Sequence, residues 1–343
     1  MSDTSQIAEN KPRIGISIGD INGIGPEVVI KALNDARIIR HFVPIIYADG
    51  RVISFYRKQL DYQQFSYNQI KRVEELDDRK INVINLNQQE INITPGNPTK
   101  EGGAYAVLSL KAAMADLKAG KIHALVTAPL SKDLVQSEEF SFPGHTEFLT
   151  EADGAKDSLM FLVTETLKVG VATGHIPLKD VSAAVTKEVV EKKLKLMIKS
   201  LKLDFGIKKP KVAILGVNPH AGENGLLGDE EEKILIPLIE KFKDKGELVF
   251  GPFPADGFFG SKQYTSYDGI LAMYHDQGLI PFKNIAFDEG VNFTAGLSFI
   301  RTSPDHGTAF SIAGKNEADE KSMRNALYMA ADIVKSRLEH QLD

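Results

Sequence analysis

Three short apolar runs, each ended by a histidine, most constrain what this chain can fold into. The runs VGVATGH, VAILGVNPH and GILAMYH end at His175, His220 and His275. A short apolar run bounded by turn residues is typical of a buried strand in an α/β sheet. Ligands of such sheets bind beyond the carboxyl ends of the strands, which is where the three imidazoles fall. Three imidazoles at one edge of a sheet are compatible with a divalent-metal site.

The three histidines also have a purely structural interpretation. A lone histidine after a strand is more often a hydrogen-bonded surface residue than a metal ligand. The repetition of the pattern favours a metal, and so does Asp276, which directly follows His275. Asn218 and Glu223 flank His220 in a similar way. The spacing alone leaves both interpretations open.

Composition limits the chemistry that is available. The 343 residues include no cysteine, which excludes disulfides, thiolate metal sites and cysteine nucleophiles. Any transition-metal site must therefore use histidine and carboxylate. The formal net charge of -5 argues against nucleic acid or an anionic membrane as the main partner. The first dozen residues are polar, and no apolar run approaches the roughly 20 residues that span a bilayer, so a cytoplasmic location is expected.

Strand and helix patterns alternate along the chain, which favours an α/β fold with a largely parallel sheet and covering helices. The predicted strands span residues 13–19, 43–48, 80–86, 124–128, 159–163, 169–173 and 211–217. The predicted helices span residues 51–60, 101–119, 187–203 and 321–338. Strands 159–163 and 169–173 are close enough along the chain to pair as a hairpin. The length suits about two domains.

Two polar segments have structural explanations. In GDINGIGPE, Gly23 and Gly25 free the backbone before a helix that begins near Pro26. Such a turn can bind an anion, but it departs from the dinucleotide motif GxGxxG, and a structural role is favoured. The acidic run 229–232 suits the positive end of a helix dipole. We therefore interpret this run as helix capping rather than as metal ligation.

Seven motifs together resemble one enzyme family. They are GDINGIGPE, GHTEF, TGHIPL, NPHAGENG, PADGFF, YHDQGLIPFK and SPDHGTAFSIAGK. In this order they resemble the 4-hydroxythreonine-4-phosphate dehydrogenase family of pyridoxal phosphate biosynthesis, over essentially the whole chain. Ile21 and Asn22 replace an expected Pro-Ala, and glycine replaces an expected threonine at Gly174 and Gly257. These departures remove no side chain with an assigned role, but they leave open which sibling substrate is used.

The resemblance implies the fold of the isocitrate and isopropylmalate dehydrogenases. Two α/β/α domains with largely parallel mixed sheets are then expected, with the active site in the cleft between them. The first domain would comprise residues 1–136 and 285–343 on the nucleotide side, and the second would comprise residues 137–284. The implied reaction is oxidation of the C3 hydroxyl of 4-phosphooxy-L-threonine by NAD or NADP, followed by loss of carbon dioxide. The resemblance also implies a divalent metal, which could be zinc, cobalt or magnesium, and a homodimer.

The resemblance assigns residues to three roles. The metal ligands would be His175, His220 and His275. The substrate contacts would be His145, Thr146, Lys283, Asn292 and Arg301. Lys283 and Arg301 suit an anionic substrate by charge, although either could instead be a solvated surface cation. The candidates for proton transfer or ligand orientation are Asp256, Asp276 and Lys283, and His306 and Gly307 lie in the loop that resembles the nucleotide side.

Other functions remain open at this stage. A sibling enzyme would oxidise a 4-phosphorylated threonate or erythronate, a metal hydrolase would cleave small phosphate esters, and a non-catalytic protein would bind its ligand without turnover. The family resemblance also suggests a site shared between two subunits. In this hypothesis His175 and His220 come from one chain, and His275 comes from its partner on a flexible segment, 278–282.

Overall fold

The computed structural model of the chain describes residues 11–87, 90–136 and 145–342, without the side chains of residues 36, 145–147, 341 and 342. Its strands are β1 (Arg13–Ser17), β2 (Val43–Tyr47), β3 (Tyr67–Ile70), β4 (Ile81–Ile84), β5 (Ala124–Thr127), β6 (Leu159–Val163), β7 (Lys168–Val171), β8 (Lys211–Leu215), β9 (Leu248–Phe253), β10 (Gly269–Ala272), β11 (Val291–Ala295) and β12 (Ile300–Pro304).

The α-helices are α1 (Gly25–Leu33), α2 (Gly50–Gln59), α3 (Lys100–Lys118), α4 (His145–Asp153), α5 (Val181–Ala184), α6 (Lys187–Leu203), α7 (Ile236–Lys243), α8 (Ala255–Gly260), α9 (His275–Ala286) and α10 (Lys321–Leu342). A π-helix spans Glu231–Leu235. Short 3-10 turns occupy Ala36–Arg40, Val73–Glu75, Leu178–Asp180, Pro219–Gly222, Gln263–Ser266 and Phe310–Ile312. Among the described helices, none combines the length and the apolar composition that a membrane crossing requires.

The chain forms two compact units. The first unit comprises Met1–Gly154 and Ser298–Asp343, and the second comprises Ala155–Leu297. In the first unit the strands lie in the order β3-β4-β2-β1-β5-β12, and each neighbouring pair is parallel. Helix α3 packs on β1, β2 and β5, while α10 packs on β12 and β5. Strands β1 and β2 are almost wholly buried, as expected for strands that helices cover.

The second unit has the strand order β11-β6-β7-β10-β8-β9. Strands β6 and β7 pair as the predicted hairpin, and β11 runs antiparallel to β6. The neighbours β7, β10, β8 and β9 are parallel to one another. The predicted α/β class with largely parallel strands is thus confirmed. The predicted domain limits at 136/137 and 284/285 stay a prediction.

Helix α9 corrects one expectation from the sequence. Residues 278–282 were expected to form a flexible segment, but they lie inside this twelve-residue helix. Gly278 allows close packing here, because an added Cβ would lie 2.9 Å from Val169 Cγ1 and 3.0 Å from Ala272 Cβ. Leu279 and Phe282 are buried in the same core as those two residues. The glycine therefore brings α9 against β7 and β10.

This packing predicts that Gly278→Ala destabilises the protein. Overpacking a core costs about 1–3 kcal/mol, whereas alanine gains about 0.5–1 kcal/mol over glycine inside a helix. We expect a net loss of about 1 kcal/mol in the free energy of unfolding, measured by urea denaturation. Gly257→Ala in α8 is the matched control, because its Cβ would meet no atom within 4 Å. Equal stability of the two variants would show that Gly278 has room for a methyl group.

Candidate active site

The pairing of β7 with β10 brings two of the three predicted ligands together. The parallel pairing continues past both strands, since the backbone N–H of Thr173 donates to the Met273 carbonyl at 3.1 Å. The Thr173 hydroxyl donates to the same carbonyl oxygen at 2.7 Å. His175 and His275 each follow two residues later. Their ring centroids lie 5.5 Å apart, so the strand register explains their proximity.

His275 is oriented by the carboxylate beside it. Its Nδ1 lies 2.7 Å from Oδ1 of Asp276, which is 69% exposed. This contact requires the proton on Nδ1 and leaves the Nε2 lone pair available. A carboxylate that holds the second ring nitrogen is the usual companion of a metal-binding histidine. The contact fits the orientation of a ligand, which is one of the two roles considered for Asp276.

Gln277 fixes the start of α9, a role that the sequence did not reveal. Its Oε1 accepts from the backbone N–H of Met273 at 2.7 Å. Its Nε2 donates to the carbonyl oxygen of Gly216, directly after β8, at 2.6 Å. A glutamine in the first turn that reaches back along the chain resembles half of a capping box. Gln277 thus ties the helix that begins with His275 to the ends of β10 and β8.

His220 lies five residues beyond β8, in the turn Pro219–Gly222. Its side chain is exposed, and its backbone is left-handed, with φ of 52°. No three His, Cys, Asp or Glu residues among those described are placed to hold one metal ion. One chain therefore supplies the pair His175 and His275 but no complete ligand set within the described ranges. Two imidazoles without cysteine suit a borderline cation such as zinc or cobalt, which fits the predicted metal.

The remaining predicted residues of the second unit occupy three different elements. Lys283 lies on α9, eight residues and thus about 12 Å along the axis from His275. Asn292 lies on β11, and its buried Oδ1 has no hydrogen-bond partner among the described residues. A buried acceptor without a partner is costly, and a bound substrate could supply the missing donor. Asp256 is exposed in the first turn of α8.

Arg301 is not the solvated surface cation that the sequence had left open. It is 3% exposed and lies on β12. Its Nε and Nη2 donate to the Thr127 hydroxyl at 3.1 Å and 2.7 Å. Thr127 is the last residue of β5, so the guanidinium reaches toward the carboxyl edge of the first unit's strands. That edge is where α/β sheets bind their ligands.

The glycine-rich turn GDINGIGPE has a structural role in the first unit. The Glu27 carboxylate is fully buried and accepts from Lys31 Nζ at 2.8 Å and from the Ala318 backbone N–H at 3.0 Å. The Ile24 backbone N–H donates to the Thr308 carbonyl at 2.9 Å. The bond from Ile24 attaches the turn to the loop that carries His306 and Gly307. In that loop His306 is half-buried and Gly307 is exposed.

The side chains of His145 and Thr146, at the start of α4, lie outside the described residues.

Comparison with known proteins identifies the family. The family model described as pyridoxal phosphate biosynthetic protein PdxA matches residues 40–330. The chain belongs to the PdxA family. This finding confirms the resemblance that the seven motifs indicated.

Several relatives match this chain along almost their full length. A 4-hydroxythreonine-4-phosphate dehydrogenase from Bacteroides thetaiotaomicron is 46% identical over 330 residues, which cover 96% of this chain and 90% of the relative. The crystal structure of the enzyme of that name from Klebsiella pneumoniae is 36% identical, with a TM-score of 0.80 over 95% of this chain and 98% of the other. A relative from Oceanobacillus iheyensis, provisionally assigned as a D-threonate 4-phosphate dehydrogenase, is 40% identical over 331 residues. These residues cover 95% of this chain and 99% of the relative.

Proposed function

We propose that the chain oxidises 4-phosphooxy-L-threonine to 2-amino-3-oxo-4-phosphooxybutanoate with NAD or NADP. Decarboxylation then gives 3-amino-2-oxopropyl phosphate, a step in pyridoxal 5'-phosphate biosynthesis. The observation that carries this proposal is the imidazole pair of His175 and His275 at two strand ends of a PdxA family member. A phosphate-ester hydrolase has no comparable support, because the named relatives are dehydrogenases.

In this proposal His175 and His275 hold a divalent cation together with His220 of a second chain. The cation would supply a Lewis acid that lowers the pKa of the substrate hydroxyl. Zinc or cobalt suits three imidazoles, whereas magnesium would need water and substrate oxygens to complete its shell. Asp276 holds His275 through Nδ1 and so keeps Nε2 directed at the site.

The other predicted residues bind and position the substrates. Lys283 and Arg301 attract the anionic groups of the substrate, and the planar guanidinium suits phosphate or carboxylate. Asn292 accepts a hydrogen bond from the substrate through its buried Oδ1. The exposed Asp256 is the candidate that carries the hydroxyl proton to solvent. His306 and Gly307 would lie on the nucleotide side, where NAD or NADP would supply the hydride acceptor.

Exposed apolar side chains support a homodimer. Leu178 is 73% exposed, Leu226 79% and Phe287 73%. They follow His175, His220 and His275 along the chain by three, six and twelve residues. Exposed apolar groups of this size mark interaction surfaces in soluble proteins. A second copy that covers them would also bring a second set of histidines to the site.

This arrangement changes the allocation expected from the sequence. That expectation placed His175 and His220 on one chain and His275 on its partner. The ring pair in one chain instead favours His175 and His275 together, with His220 from the partner. The complementation experiment in the Discussion separates the two allocations.

The function is tested by nicotinamide reduction, followed by absorbance, with 4-phosphooxy-L-threonine and 4-phospho-D-erythronate or D-threonate 4-phosphate assayed side by side. We expect the highest kcat/KM with 4-phosphooxy-L-threonine. Removal of metal by a chelator should abolish turnover, and added zinc or cobalt should restore it. Turnover only with a phosphorylated tetronate would assign the chain to the sibling activity. Full activity in a verified metal-free preparation would refute the role of all three histidines.

A further inference from the structure

A buried carboxylate lies beneath the turn that carries His220. Glu231 is 1% exposed, and its Oε1 accepts from the backbone N–H groups of Val217 at 2.7 Å and Asn218 at 2.8 Å. Its Oε2 accepts from Asn218 Nδ2 at 3.0 Å. A carboxylate this buried needs such donors to offset its desolvation. The sequence had suggested helix capping for this residue, but its partners belong to the segment that leads into His220.

The turn above Glu231 has an unusual backbone. His220, Ala221 and Glu223 are left-handed, with φ of 52°, 51° and 46°. Residues other than glycine adopt the left-handed conformation at a cost in free energy. This conformation persists where the surrounding structure enforces it. His220 is itself one of these left-handed residues. The enforced turn therefore determines the direction in which its side chain leaves the backbone.

Glycines at both sides of the carboxylate make its fit close. A Cβ at Gly216 would lie 3.0 Å from Glu231 Oε1 and 2.9 Å from the Ala221 Cα. A Cβ at Gly222 would lie 2.7 Å from Glu231 Oε2. The carboxylate therefore lies close to Gly216, which precedes the left-handed turn, and to Gly222, which lies within it. It bonds the residues before His220 and packs against the residue two positions after it.

We propose that Glu231 is a positioning residue that fixes the left-handed turn of His220 and thereby raises the affinity of the candidate site for a divalent cation. The proposal rests on the proposed function, because it requires His220 to be a metal ligand. Glu231 does not contact the metal in this role. It acts through the hydrogen bonds to Val217 and Asn218.

The test measures cobalt binding to the metal-free full-length protein by the visible absorption of bound Co²⁺. Glu231→Gln keeps the size of the side chain but removes its charge and presents an amide N–H₂ to donor groups. We expect its Kd for Co²⁺ to rise about 10–100-fold, as for other residues that orient metal-binding side chains. Glu232→Gln is the matched control, because Glu232 is exposed and the substitution is the same. Its Kd should equal that of the wild type.

A double mutant separates positioning from general stability. In a His220→Ala background, Glu231→Gln should cause no further loss of Co²⁺ affinity, because the side chain through which it acts is gone. A purely structural role would weaken binding by the same factor in both backgrounds and would refute the proposal. If Glu231→Gln does not fold, Glu231→Asp keeps the charge but shortens the reach, and wild-type affinity in that variant would refute positioning.

The outcome is distinguishable from failure of the proposed function. Nicotinamide reduction by the wild-type enzyme tests that function independently of Glu231. Wild-type turnover combined with an unchanged Kd in Glu231→Gln would reject the positioning role alone. A His220→Ala variant that binds Co²⁺ as tightly as the wild type would reject both the ligand assignment and the positioning role.

Discussion

Mixed dimers of His175→Ala and His220→Ala chains are expected to regain activity, whereas mixed dimers of His175→Ala and His275→Ala chains are not. The reason is the ring pair of His175 and His275, with centroids 5.5 Å apart in one chain. Suppose that each site takes that pair from one subunit and His220 from the other. In a mixed dimer, the substitutions at positions 175 and 220 then both affect the same one of the two sites. The second site of that dimer is then intact.

The size of the recovery follows from the two-fold symmetry. Random pairing of an equal mixture makes about half of the dimers mixed, and each mixed dimer has one intact site of two. Recovered activity should therefore be about a quarter of the wild-type value. In the mixture of His175→Ala and His275→Ala, every site receives one lesion from the chain that supplies its pair. Activity in that mixture should stay at the level of the single variants.

The measurement is nicotinamide reduction after the two variants are denatured together and refolded. Each variant refolded alone must remain inactive, and different affinity tags must show that mixed dimers have formed. The inverse pattern, with recovery only for His175→Ala with His275→Ala, would restore the allocation expected from the sequence. No recovery in either mixture, with mixed dimers present, would place the whole site within one chain.

The allocation could not be derived from the sequence because chain order differs from sheet order. His175, His220 and His275 follow β7, β8 and β10, but the strands lie in the order β7-β10-β8. The sequence predicts that each histidine follows a strand, and periodicity gives no information on which strands are neighbours. His220 also lies five residues beyond its strand, so strand order alone would not place it.

Local pattern predicted the regular elements well and failed where polar or turn residues interrupt them. Helix α6 and strand β6 have the predicted bounds. Strands β3 (YNQI) and β9 (LVFGPF) were missed, because one is polar and the other contains Gly and Pro. Glu231 was interpreted as a cap because its partners lie 13 and 14 residues upstream, beyond any local pattern.

The second large effect is expected at Arg301. Arg301→Ala should lower kcat/KM for 4-phosphooxy-L-threonine at least about 30-fold, which corresponds to about 2 kcal/mol of charge-assisted hydrogen bonding to the substrate. Arg301→Lys should also lose activity, because an ammonium group cannot reproduce the planar fork of a guanidinium. The loss should shrink for 4-hydroxy-L-threonine, which lacks the phosphate. Steady-state kinetics on both substrates give the comparison.

Two controls keep this result separate from a folding defect. Arg301 is 3% exposed, so its truncation also removes packing, and urea unfolding of each variant must show that the protein is folded under assay conditions. Thr127→Val removes the hydroxyl to which Nε and Nη2 donate but keeps the guanidinium. This variant should lose less activity than Arg301→Ala, because the charge that attracts the substrate remains. An Arg301→Ala enzyme with unchanged kcat/KM would show that the buried guanidinium supports the strand ends and takes no part in substrate binding.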